Sequence, residues 1–255
     1  MKRLGIGLLL ALQFFSIIPV KKELPLEKGY ITSMYRALPF LGLIFGAITA
    51  AAAWTLLNFT ELSSLFAAFI VVVIGIFLTG GLHMDGVADV GDAYFSYQER
   101  EKRLEIMGDP RIGAFGAMAL TLLIFGKIIV VSEVLEGIPI IAVAFVPVFS
   151  RIGLMLLFSK TASAKEGGLA AFFQRRADGG QVALGAAVWL AAAWGVLGYM
   201  ESLRLAFGLA AVLLVSIYLY RKWCLKNFGG VTGDLFGAYI EGTELLLWAV
   251  FLFFI

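Results

Sequence analysis

Apolar residues run in long unbroken stretches along this chain, with polar residues gathered into short links and longer charged loops. Such runs are helices, because the strands of a membrane barrel would alternate over about ten residues. Residues 37–57, 62–82, 114–131, 138–158, 182–200 and 205–220 predict six full spans. Segment 4–20 is also apolar. It ends in Ile18-Pro19-Val20 followed by Lys21-Lys22, which is no small-residue cleavage site and argues against a signal peptide. The tail, 245–255, is short for a span of about 20 residues and predicts a partial or tilted one.

Charge gives the pattern a direction. The links 58–61, 133–137 and 201–203 hold acids and neither Lys nor Arg, while the loops after residues 82, 158 and 220 hold most of the basic residues. The positive-inside rule puts the links outside and the loops in the cytoplasm. Connector 21–36 is then cytoplasmic, so both ends of segment 4–20 face in, and it re-enters or lies along the interface. The expected fold is an all-α integral membrane protein, a single polytopic helical bundle over residues 1–255. Composition agrees: the chain is 61% hydrophobic and 15% charged, against about 45–50% and 25% in soluble domains. A net charge of +2 gives no reason to expect a nucleic-acid partner. The lone Cys224 excludes an internal disulfide and is expected to be a packing residue.

The chemistry concentrates in Gly80 to Ala93, GGLHMDGVADVGDA. On a helix Asp85, Asp89 and Asp92 share one face, where unpaired like charges repel. A divalent cation reverses that effect, and oxygen ligands suit Mg²⁺ or Mn²⁺. Glycines in the stretch let a substrate approach closely. His83 is expected to be structural or substrate-orienting. Asp109-Pro110-Arg111 has the form of a helix start, with Asp109 as N-cap and Arg111 beside an anion-favouring terminus. Arg151 lies deep in a span, with Pro147 one turn earlier to kink it, and a charge at that depth is a functional candidate. Lys127 is expected to snorkel towards Glu133. Gly229-Gly230-Val231-Thr232-Gly233-Asp234 repeats the GGxxxD spacing of Gly80, Gly81 and Asp85, and its Thr232 and Asp234 suit phosphate binding or a metal shell.

These blocks together resemble the cobalamin synthase family. The match runs through QFFSIIP (13–19), GGLHMDGVADVGDA (80–93), RLEIMGDPRIGAFG (103–116), KEGGLAAFF (165–173) and GGVTGDLFGAYIEGTE (229–244), in family order. Small departures fall at Ala93, Gly108, Ser163 and Lys165. The resemblance implies a Mg²⁺-dependent phosphoryl transfer, and the charge pattern puts its active site on the cytoplasmic face of the expected prokaryotic plasma membrane. Adenosylcobinamide-GDP and α-ribazole or its 5′-phosphate would give adenosylcobalamin or its 5′-phosphate and GMP. Asp85, Asp89 and Asp92 would hold the metal and, with Arg151, carry the chemistry. His83, Asp109, Arg111, Lys165, Thr232 and Asp234 would bind substrate. Asp85-Gly86-Val87-Ala88-Asp89 also has a faint likeness to the core of CDP-alcohol phosphotransferases, which makes a lipid-headgroup transferase the alternative. A cation-coupled transporter would instead want its acids near the midplane on broken helices.

Overall fold

The computed structural model describes residues 2–255; Met1 and the Lys2 side chain lie outside the described residues. The chain is all-helical: α1 (Lys2–Phe15), α2 (Lys28–Phe59), α3 (Ser64–Leu78), α4 (Leu82–Phe95), α5 (Arg100–Ile106), α6 (Ala114–Val134), α7 (Ile140–Lys160), α8 (Gly168–Arg175), α9 (Gly179–Met200), α10 (Leu203–Asn227) and α11 (Gly233–Val250). Among the described residues, six helices are long and apolar enough to cross a membrane: α2, α6, α7, α9, α10 and α11 with its short 3₁₀ extension to Phe253. Their outward faces carry exposed Leu122, Phe125, Leu184 and Phe207, as contact with lipid requires. α7 is the hub. Fifteen of its 21 residues are buried, and it packs against α2, α9, α10 and α11.

The six differ from the apolar pattern in one member, and the bent pair α3–α4, counted as one broken span, brings the number to seven. α3 has 15 residues, about 22 Å at 1.5 Å per residue, and stops at a sharp break. Gly80 and Gly81, at φ +63° and +76°, turn the chain so that α4 leaves at 92° to α3. Left-handed backbone of this kind costs a glycine nothing and almost any other residue something. In the other direction, the expected partial C-terminal span is a complete helix from Gly233. Glu241 and Glu244 interrupt its hydropathy, and both are held inside the protein.

The loops sort by charge. Among the links, Ser64 donates to Glu136, and Gly137 packs against the C-terminal Ile255. At the other end, Val231 bridges Ser163, Arg103 donates to Asn227, and Lys28 pairs with Asp178. α1, at 14 residues, is short for a span of about 20. It packs beside the first turns of α2, with Gly7 on Ser33, and Phe14 at its end meets Phe173 of α8 in a basic loop.

Candidate active site

Two helices build the site. α4 lies on the first turns of α11, close enough that a Cβ at Gly86 would come 2.6 Å from the Asp234 carbonyl oxygen. Higher up, Gly237 faces the His83 backbone in the same way, at 3.1 Å. Glycine at a helix crossing lets two backbones approach. Gly86 therefore admits α11, where a close approach of substrate was expected. The repeated GGxxxD segments meet through this contact, with Asp85 and Asp234 lining one cleft. Asp89 stands one turn further along α4, partly exposed. Asp85, Asp92, Asp234 and Lys165 all lie near enough to act on it electrostatically.

The α11 start is held by its own sequence. Thr232 is the N-cap and accepts from the Leu235 amide at 3.2 Å, while its hydroxyl meets Asp234 Oδ2 at 3.2 Å. Backbone bonds between Val231 and residues 162 and 164 tie the loop carrying Lys165 to the same place. Thr232, Asp234 and Lys165 thus come together with Asp85 and Asp89.

Asp92 has a different occupation. Its two carboxylate oxygens accept the amides of Gly113 (2.6 Å) and Gly116 (2.8 Å), the orphan donors at the start of α6. It is the anion that this helix terminus favours, supplied from another helix. Among the described residues, no three or more His, Cys, Asp or Glu side chains group as a metal shell. Of the three α4 aspartates, Asp85 and Asp89, i,i+4 on one face, are left for a cation, and Asp234 lines the same cleft as Asp85. Mg²⁺ commonly takes one or two carboxylates and completes its shell with water and substrate phosphate, so two suffice.

Asp109 does not cap α6, which begins at Ala114 with Gly113 as N-cap. It instead accepts the Arg111 amide (3.0 Å) and two guanidinium donors of the same residue, Nε (2.9 Å) and Nη2 (2.6 Å). Those bonds hold the Asp109 carboxyl down at about 2, so the pair stays charged across the neutral range. The Arg111 side chain is otherwise exposed, two residues before the amide that holds Asp92.

Arg151 is not brought to the aspartates. It lines a separate cavity of about 50 Å³ beside Pro147 and pairs with Glu244. Lys127, expected to snorkel towards Glu133, is buried there and donates to Glu241 and Glu244. Two acids and two cations make this cluster neutral as it stands, which is how buried charge is tolerated in a membrane interior. His83 touches it, with Nδ1 3.5 Å from Glu241, and also lines the Asp85–Asp234 cleft. Neither ring nitrogen of His83 has a hydrogen-bond partner among the described residues. The sequence signal for the cluster was two acids at i,i+3 inside an apolar helix, set against unpaired cations in two other spans.

Fold and site define a polytopic membrane enzyme with acids gathered between two helix starts, beside basic loops. The family model described as cobalamin-5-phosphate synthase matches residues 7–252. Proteins named adenosylcobinamide-GDP ribazoletransferase are similar along nearly their whole length. That of Geobacillus kaustophilus is 36% identical, covering 98% of this chain and 96% of its own. That of Clostridioides difficile is 30% identical over 93% of each chain, and that of Synechococcus elongatus 31% over 94% of each. No solved structure matches. The chain belongs to the cobalamin-5-phosphate synthase family, transferases of cobalamin biosynthesis. A CDP-alcohol phosphotransferase reading is thereby set aside.

Proposed function

We propose that the protein joins adenosylcobinamide-GDP to α-ribazole 5′-phosphate, or to α-ribazole, at the junction of α4 and α11. The observation that carries this reading is the seating of Gly86 on Asp234, which sets Asp85, Asp89 and Asp234 together with Lys165 close by. The ribose 3′-hydroxyl oxygen attacks the phosphorus bonded to cobinamide. A new P–O bond forms as the bond from that phosphorus to the bridging oxygen breaks, and GMP departs with that oxygen. The hydroxyl proton passes to a carboxylate of the cleft.

Asp85 and Asp89 are the residues that would hold Mg²⁺, or Mn²⁺ in its place. When bound, the ion would neutralise charge on the phosphates. Lys165 supplies positive charge from the protein, as phosphoryl transfer demands, whereas the charge of Arg111 is already met by Asp109. Arg151 acts at a distance: it fixes Glu244 in the cluster that His83 leans on. The site faces the cytoplasm, on the side of the basic loops.

The test is a purified-protein assay with adenosylcobinamide-GDP, α-ribazole 5′-phosphate and Mg²⁺. GMP should appear one-for-one with adenosylcobalamin 5′-phosphate, and EDTA should stop both. No GMP, or GMP without a cobalamin product, would refute the reading.

A further inference from the structure

A cavity of about 130 Å³ opens beside Asp85 and Asp234. Phe14 and Phe15 from α1, Tyr35 from α2 and Phe173 from α8 line one side of it. The rings interlock edge to face: Phe14 and Phe173 centroids are 5.1 Å apart at 81°, and Tyr35 and Phe173 6.2 Å apart at 76°. Tyr35 is fixed from behind by stacking on Phe158 at 3.7 Å. Two segments without a chemical role so far, QFFSIIP and LAAFF, meet in this wall. The cavity is therefore aromatic at one side and acidic at the other, a shape suited to a molecule with a flat apolar end and a hydroxyl-bearing end.

The substrates of the proposed reaction carry three aromatic bases. Guanine and adenine both present exocyclic hydrogen-bonding groups that a wall of phenyl rings would leave unpaired, at a cost. A dimethylbenzimidazole, the base of ribazole, carries two methyl groups and no exocyclic polar atom. We infer that this cavity is the subsite for the aromatic base of the ribazole acceptor, with the attached ribose directed to Asp85 and Asp234. The inference rests on the proposed function. It also gives α1 a purpose: a helix too short to cross closes one wall of the acceptor pocket.

The test is initial-rate kinetics with each substrate varied in turn, for Phe173→Ala and Leu169→Trp. Leu169 lines the same cavity and is 62% exposed, so a larger side chain there intrudes on the pocket without disturbing the core. Both variants should raise KM for α-ribazole 5′-phosphate on the order of 10-fold, the scale of a lost or blocked aromatic contact. KM for adenosylcobinamide-GDP should stay within about twofold. Phe173→Ala should also gain rate with a riboside of a larger tricyclic base relative to the dimethylbenzimidazole one. If Leu169→Trp leaves the acceptor KM unchanged, or raises only the KM for adenosylcobinamide-GDP, the subsite is misassigned even while the unsubstituted protein turns over. Failure of the unsubstituted protein to release GMP refutes the function itself.

Discussion

Asp92 differs from Asp85 and Asp89 in what already holds it. Both of its oxygens are bound by amides of α6. In Asp92→Asn one of those acceptors becomes an NH₂ facing an N–H, so a cap bond is lost. The expected cost is about 1–2 kcal/mol of stability, seen as a lower melting temperature. Its turnover should fall less than in Asp85→Asn or Asp89→Asn. Unchanged melting with a loss of turnover as large as theirs would return Asp92 to the metal. The three acids were legible as one helix face. What the sequence did not reveal was that the start of α6, 21 residues on, claims the third. Spacing along a helix shows which side chains share a face, not which distant element meets that face.

α4 works as a brace between α11 and α6, and its glycines set how closely it lies. Gly86→Ala would push a methyl against the Asp234 carbonyl, separating the two halves of the cleft, and turnover should drop. Gly75→Ala in α3, where nothing lies within 4 Å of the new Cβ, should keep parental turnover. Equal turnover in the two would mean that the crossing does not position the acids. α11 shows why its span was read short. Two glutamates lower its hydropathy, and the cations that neutralise them sit 114 and 93 residues away in sequence. Breaking that cluster with Lys127→Met leaves Glu241 without its cation, a loss of about 3–5 kcal/mol by thermal unfolding. Lys127→Met with Glu241→Gln should recover part of it. If the double variant is no more stable than Lys127→Met alone, the cluster is not held by this pairing.

For the molecule as a whole, the hydropathy pattern foretold an all-helical bundle, and the charge pattern foretold which loops share an end. The Gly80-Gly81 break and the length of α11 were not foretold, since both depend on what the interior supplies. Orientation is testable directly. In a background lacking the buried Cys224, cysteines at positions 22, 98 and 178 should react with an impermeant reagent only from the cytoplasmic face, and one at 60 only from the other. Reaction of 22 and 98 from opposite faces would mean that α1 or the α3–α4 pair has been traced to the wrong side.

Asp85 and Asp89, set against Asp234, are proposed to carry metal-assisted phosphoryl transfer. The most direct measurement is the rate of GMP-coupled cobalamin 5′-phosphate formation against Mg²⁺ concentration for the parent, Asp85→Asn and Asp89→Asn. Each variant should lose at least ~100-fold in turnover at saturating Mg²⁺, the scale of several kcal/mol of lost charge stabilisation. Parental turnover and Mg²⁺ dependence in both variants would contradict the account.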